Sequence, residues 1–264
     1  MPAIYAHDRF GTEVSERVNN ELRETINRHY TQYQIGLQGP DIYFFYRPWG
    51  KNKVNQYGSH LHAVSAYPFF EHALRVVRHM GRGSREYAYL MGFICHFILD
   101  SECHPYVAWM IKETGVQHLE IEEEFEKMLL RMDGQDALAY PLAGLVPTDR
   151  ETAEAIAPFY GKGITPEITQ RALKDLKLVK RLFTRPGAAG QAVINTSMKI
   201  LGNYDRMKGL MNQRRDNPAC KESSQGLLQR YENAVPVAVR MIESFDETVR
   251  RGGRLNVRFD RTFE

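Results

Sequence analysis

Three side chains of a type that binds metal ions recur at every fourth position in the segment GFICHFILDSECHPY. They are His96, Asp100 and His104. Residues four apart share one face of an α-helix and are separated by about 6 Å along its axis. Because the apolar neighbours supply no cation and an isolated buried carboxylate is costly, a divalent metal ion is a suitable partner for Asp100.

The spacing of the two histidines indicates more than one ion. In a continuous helix His96 and His104 would lie about 12 Å apart along the axis, whereas a metal–ligand bond is only ~2 Å long. One ion therefore cannot bind both, and Asp100 lies midway between them. The alternative is that His96 is a hydrogen-bonded core histidine and Asp100 a helix cap or turn residue.

A second pair with the same spacing follows in the segment HLEIEEEFE. His118 and Glu122 are four residues apart, and Phe125 and Leu129 continue their stripe at the i+7 and i+11 positions. This pattern predicts that Glu122 points inward beside His118, while the neighbouring acids and Lys127 lie on other faces. The alternative is that Glu122 belongs to a solvated acidic face.

Three further candidates lie upstream. Asp41 occurs in GPDIYFF, His62 in GSHLH and His7 in AHDRFG. Each of them, taken alone, also fits a turn or core residue, and His60 is an alternative to His62. The aromatic residues that follow Asp41 fit a substrate wall or, alternatively, core packing.

The elements that must position these residues are helices. Helical periodicity dominates, which predicts one all-α domain over residues 1–264, with a metal-ligand half 1–132 and a helical C-terminal half 133–264. The helix that carries His96 is apolar nearly all round, as in a central helix, and Pro105 predicts that it ends near His104. We predict helices at Glu13–Tyr33, Pro68–Met80, Arg85–Glu102, Val116–Met132, Glu167–Phe183, Gly190–Asn212 and Ser223–Arg251.

The composition argues against several other classes. A formal net charge of +3 is too small to indicate a nucleic-acid binder. The longest apolar run, 88–99, is shorter than the ~18 residues that a membrane span needs. The chain opens without a signal-peptide pattern and has three cysteines without framework spacing, so we expect a cytoplasmic protein without disulfides. Nucleotide-binding and serine-hydrolase motifs are missing, as are the paired ExxH motifs of di-iron bundles.

Taken together, these fragments resemble a known family. The order His7, Asp41, His62, then HxxxD with His104 and then HxxxE is similar to the zinc-dependent phospholipase C family, whose superfamily includes the S1/P1-type nucleases. The matching fragments are MPAIYAHDRFG, QGPDIYFFY, GSHLH, GFICHFILDSECHPY and HLEIEEEFE, which cover roughly the first half of the chain. The resemblance implies an all-helical fold of the phospholipase C and P1 nuclease type with two or three zinc ions.

The resemblance also implies an assignment of ligands to ions. One zinc would be held by Asp41, His62, His96 and Asp100; a second by Asp100, as a bridge, and His7; and a third by His104, His118 and Glu122. Secreted members complete one zinc with the amine of a tryptophan that signal cleavage exposes. This sequence has no such tryptophan, so the zinc at His7 is expected to differ in its ligands.

The implied function is phosphoester hydrolysis. Zinc ions lower the pKa of bound water, so that a hydroxide attacks phosphorus, with Asp41 as the residue that orients it or acts as base. Suitable substrates are a small phosphoester or a lipid head group; nucleic acid is possible but unsupported by the sequence. The alternative is a non-catalytic metal-binding helical protein that retains the ligands. Basic residues on one predicted helix are expected to form a solvated face: Lys174, Lys177, Lys180 and Arg181.

Overall fold

The fold is built from helices throughout the part of the chain that the computed structural model describes, residues 3–184, 187–200, 202 and 204–264. The α-helices are α1 Ile4–Ser15, α2 Asn20–Arg28, α3 Tyr30–Gly36, α4 Lys53–Ala63, α5 Tyr67–Met80, α6 Arg85–Thr114, α7 His118–Met132, α8 Arg150–Ile156, α9 Pro166–Phe183, α10 Gly187–Ile200, α11 Tyr204–Met207 and α12 Lys221–Arg251. A 3₁₀ segment, Gly39–Phe45, precedes α4. No strand occurs in these ranges, and the prediction of an all-α fold is confirmed.

Helix α6 lies at the centre, as its apolar character predicts. It packs against α1, α3, α5, α8 and α12, and every residue from Glu86 to Ser101 is buried. The crossing with α3 is so close that a Cβ atom on Gly92 would lie 2.1 Å from the carbonyl oxygen of Tyr33. Only glycine permits this approach. In the described ranges no helix is both long and apolar enough to cross a bilayer.

The predicted end of this helix near His104 is wrong. Helix α6 continues through Pro105 to Thr114, and Gly115 ends it with a φ of 72°. A proline inside a helix costs about 3 kcal/mol, because its ring clashes and one backbone hydrogen bond is lost. The turns beyond it bury Val107 and Met110, and burial of apolar side chains offsets that cost. His104 is consequently held on a rigid helix.

Two other predicted helices are interrupted. The predicted helix Glu13–Tyr33 is three helices, because Asn19 caps α2 by accepting a hydrogen bond from the backbone N–H of Leu22 at 3.2 Å. The apolar stripe that suggested one helix is nevertheless buried on both sides of the break. The predicted helix Gly190–Asn212 corresponds to α10 and α11, separated by Gly202 with a φ of 67°; its residues 201 and 203 lie outside the described ranges.

Candidate metal centre

The eight predicted ligands converge into three groups. In each group the ligand atoms lie within 4.8 Å of one another. The groups are His7, His96 and Asp100; Asp41, His62 and His96; and His104, His118 and Glu122. We call the first two, which share His96, the inner groups, and the third the outer group. In the assignment implied by family resemblance the shared residue is Asp100, whereas in these groups it is His96.

Five elements bring these side chains together. Helix α6 contributes the stripe His96, Asp100 and His104, and α7 contributes the outer pair. Helix α1 carries His7 to the same stripe, while the 3₁₀ segment and α4 supply the remaining inner ligands from the other side. The outer group therefore depends on one helix pair, whereas the inner groups depend on four elements that are distant in sequence.

A glycine cradles the shared ligand His96. Gly39 has a φ of 50°, in the left-handed region, and a Cβ atom there would lie 2.2 Å from Cδ2 of His96. The backbone carbonyl of Leu37 accepts a hydrogen bond from Nδ1 of His96 at 3.1 Å. The segment around Asp41 thus also fixes the position of the His96 imidazole.

Three of the imidazoles are oriented by backbone carbonyls. The hydrogen bonds run from Nδ1 of His62 to Gly58 O at 2.9 Å, from Nδ1 of His96 to Leu37 O at 3.1 Å and from Nδ1 of His104 to Phe263 O at 2.6 Å. A neutral imidazole that donates through Nδ1 keeps a lone pair on Nε2. Each of these lone pairs then points into the cluster, as in metal-binding histidines.

Asp100 is surrounded by ligand nitrogens. Its oxygens lie 3.4 Å from Nε2 of His7, 3.2 Å from Nε2 of His96 and 3.8 Å from Nε2 of His104. None of these contacts has hydrogen-bond geometry, and among the described residues neither oxygen of Asp100 nor Nε2 of His7 or His96 has a hydrogen-bond partner. Asp100 is fully buried. Buried acceptors without partners are costly, and imidazole and carboxylate groups are ligands that zinc accepts, so the cluster fits a metal ion.

The electrostatics of the cluster favour cation binding. Burial alone would raise the pKa of Asp100, but the imidazoles of His96 and His104 hold it well below its usual value. Similarly, His118 and His104 lower the pKa of Glu122 to about 2 against the effect of burial. Both carboxylates are therefore ionised at neutral pH, so each contributes a full negative charge.

The two kinds of group differ in exposure. The inner ligands and His104 are all at most 5% exposed, whereas the side chain of His118 is 39% exposed. Solvent therefore reaches the outer group at His118.

A family model described as zinc dependent phospholipase C matches residues 6–176, more than half of the chain. The chain belongs to the zinc-dependent phospholipase C family. The matched region contains all eight ligands and ends inside α9. No curated protein and no solved structure matches the chain. Membership supports zinc as the metal of this centre.

The sequence did not predict the position of every residue near the centre of this zinc-dependent phospholipase C family member. Lys180 was expected on a solvated face, but it is only 3% exposed. Burial lowers the pKa of its ammonium group, although the nearby carboxylates of Glu126, Asp41 and Glu122 act to raise it. Its spacing from Leu173 and Leu176, at i+7 and i+4, is the signal that places it on the buried stripe of α9. His60, the alternative to His62, is exposed and belongs to none of the groups.

Helix α7 also buries more charge than its pattern indicated. Lys127 is fully buried, and its Nζ lies 3.0 Å from Glu123, 2.9 Å from Glu124 and 3.0 Å from Asp216. The segment that follows α11 covers this face. Because the covering residues are almost a hundred positions away, the local pattern carries no signal of it.

The two cysteines of α6 are neighbours of metal ligands in sequence. Cys95 and Cys103 directly precede His96 and His104, are buried and form no disulfide. Neither belongs to any of the three groups, because successive residues of a helix point about 100° apart.

Proposed function

We propose that this protein is a zinc-dependent phosphoester hydrolase that binds two or three zinc ions through the inner and outer groups. The observation that carries the proposal is the set of buried atoms without hydrogen-bond partners on His7, His96 and Asp100, which face one another at 3.2–3.4 Å. Such an arrangement is costly unless a cation is present. Family membership supports phosphoester hydrolysis as the use of that metal.

The metal ion and one of its ligands, Asp41, would have different roles in the reaction. When bound, zinc supplies a Lewis acid that offsets the negative charge developing on a phosphoryl group and activates water. Asp41 lies with Oδ1 2.8 Å from Nε2 of His62 and 3.9 Å from Nε2 of His96. The pKa of Asp41 is lowered, in part by these imidazoles, despite its burial, so Asp41 is ionised and its oxygens would accept a hydrogen bond that orients an attacking water.

An apolar cavity beside the inner groups supports a substrate with an apolar part. The cavity has a volume of about 630 Å³ and lies between α4, α5 and the turn at Gly161. Leu61, Phe69 and Phe159 line it, together with Phe263, whose ring centroid is 4.9 Å from that of His62. A lipid phosphoester, which joins a charged group to a hydrocarbon part, therefore fits better than a fully polar substrate.

Metal analysis followed by a substrate panel tests the proposal. We expect more than one zinc per chain after reconstitution, and hydrolysis of lipid and small phosphodiesters that EDTA abolishes and zinc restores. Phosphomonoesters and single-stranded DNA complete the panel. Less than one metal equivalent after reconstitution, or full activity in chelator, would contradict the proposal. Stoichiometric zinc without turnover on any member would instead favour the non-catalytic metal-binding protein.

A matched pair of variants controls for general damage. His62→Ala removes a buried ligand, whereas His60→Ala removes an exposed histidine two residues away on the same helix. We expect the first to lose zinc and activity and the second to keep its zinc. Equal zinc content in the two variants would show that His62 is not a ligand.

A further inference from the structure

We propose that Phe263, which lies outside the region matched by the family model, is a positioning residue of the metal centre that holds His62 and His104 in the geometry for zinc binding. The inference rests on the proposed metal binding. It assigns a role to the C-terminal segment Leu255–Phe263, whose residues lie about 80 positions or more beyond the end of the match at residue 176.

The backbone of Phe263 joins two groups of ligands. Its carbonyl oxygen accepts a hydrogen bond from Nδ1 of His104 at 2.6 Å. Its N–H donates to the backbone carbonyl of His62 at 3.3 Å. His104 belongs to the outer group and His62 to an inner group. Phe263 thus holds the imidazole of His104 directly and holds His62 through the backbone at the end of α4.

The side chain of Phe263 fills the space beside the imidazoles. Its ring centroid lies 4.9 Å from that of His62 and 5.8 Å from that of His96, and 5.1 Å from that of Phe97. Only 2% of the residue is exposed. The ring therefore restricts how His62 and His96 can turn, and it also lines the apolar cavity.

The segment is anchored by the residues that come just before its contact with the ligands. The carbonyl of Arg261 accepts a hydrogen bond from the N–H of Ala66 at 2.9 Å, and Ser65 donates to Asp260 at 2.6 Å. Arg258 and Arg261 both pair with Glu102, which lies on α6 between Asp100 and His104. These contacts tie the segment to α6 and to the turn that follows α4, so it is fixed beside both helices whose histidines it contacts.

The expected effect follows from the chemistry of imidazole ligands. A carbonyl that accepts from Nδ1–H selects the tautomer with a free Nε2 lone pair and makes that nitrogen more basic. Loss of such a partner typically weakens metal binding by about 10–100-fold. Phe263 acts on ligands of two groups, so the effect is expected in more than one binding step.

Zinc affinities of a graded set of variants test the role. A chain that stops after Thr262 lacks the N–H, the carbonyl and the ring of Phe263, Phe263→Ala lacks the ring alone, and Phe263→Leu keeps most of the bulk. Val257→Ala, at a position 82% exposed in the same segment, is the control. Dissociation constants are measured by competition with a chromogenic chelator, at a temperature at which circular dichroism shows each metal-free variant to be folded.

We expect zinc affinity to fall by about 10–100-fold in the shortened chain, less in Phe263→Ala, and little in Phe263→Leu or Val257→Ala. The Nδ1–H signal of His104 in ¹H–¹⁵N spectra should be protected from exchange in the wild type and lose that protection in the shortened chain. If the shortened chain does not fold, the comparison of Phe263→Ala with Phe263→Leu and Val257→Ala decides.

Two results would overturn the inference in distinguishable ways. A lower melting temperature of the metal-free variants with unchanged zinc affinity would mean that Phe263 only stabilises the fold. A wild-type chain that binds no zinc would overturn the proposed function, and the positioning role with it.

Discussion

The inner and outer groups share helix α6 yet differ in how they are built. The inner groups draw ligands from α1, the 3₁₀ segment, α4 and α6, and all of them are at most 5% exposed. The outer group comes from α6 and α7 alone, and His118 is open to solvent. When the ligands come from distant elements, metal binding depends on the whole fold. When they come from one helix pair, the ion can exchange and solvent can reach it. We therefore expect the inner ions to stabilise the fold as well as to take part in the reaction, and the outer ion to be the exchangeable one.

The largest difference is expected between Asp100→Asn and Glu122→Gln. Both changes keep the shape of the side chain and remove one charge. Asp100 faces three imidazoles, whereas Glu122 faces two, at 3.3 Å from His104 and 2.7 Å from His118. Removing one partner from a buried charged pair costs about 3–5 kcal/mol. Elemental analysis should show loss of more than one zinc in the first variant and of one or less in the second. Unchanged zinc content in both would mean that Asp100 is no more than a helix residue.

Gly39→Ala should damage the inner groups without touching a ligand. A non-glycine residue in the left-handed region costs about 1–2 kcal/mol, and the new methyl would overlap the ring of His96. We expect a lower melting temperature and loss of zinc from the inner groups, with the outer zinc retained. Gly134→Ala, at a φ of 69°, carries the same backbone strain, but its new methyl would have no atom within 4 Å, so it is the control. Equal zinc content in the two variants would exclude a role for the cradle.

The pH dependence of zinc binding should separate the groups next. Although burial opposes its charge, Asp100 and Glu122 raise the pKa of His104 to about 9. Charged His104 therefore stabilises the metal-free protein fully below its unfolded pKa of about 6.5, and this contribution is lost as pH rises through about 9. Zinc must displace that proton, so affinity at the outer group should rise about tenfold per pH unit up to about pH 9. Competition titrations measure it, and a flat profile would contradict a protonated His104.

The stability of the metal-free protein in acid gives a companion measurement. The pKa of Glu122 is lowered to about 2, so its contribution is present above its unfolded pKa of about 4.3 and is lost as pH falls toward 2. In Glu122→Gln this part of the acid dependence should disappear. A variant with the same acid unfolding curve as the wild type would show that the glutamate is not paired in the folded state.

The smallest effect concerns the order in which ions leave. With a moderate chelator, we expect one zinc to be released in a fast phase from the outer group, and the rest slowly. His118→Gln should speed the fast phase and leave the slow phase unchanged. Release of all ions in one phase would mean that the groups exchange as a unit.

The sequence predicts the parts of the centre that follow local spacing. His96, Asp100 and His104, like His118 and Glu122, lie on helices whose period alone places each set on one face. Only the resemblance to a family predicted that Asp41, His62 and His7 lie at the same site, because the elements that carry them are far apart in sequence. The ligand assignment itself stays a prediction.

What the sequence missed depends on contacts between distant segments. Pro105 was expected to end α6, because the local helix preference around a proline carries no information on the burial of Val107 and Met110 beyond it. Gly39 and Phe263 touch His96 and His104 across about 57 and 159 positions, and no local pattern signals such contacts. Lys180 is the exception, since its helical phase with Leu173 and Leu176 does place it inside.

The thiols beside the ligands bear on how this protein responds to oxidants. Burial raises the pKa of Cys95 to about 12, and burial together with nearby Asp100 and Glu122 raises that of Cys103 further. A thiol that stays protonated is a poor nucleophile and a poor ligand. At neutral pH these two thiols are therefore protonated, which makes them slow to react with peroxide despite their position beside the ligands.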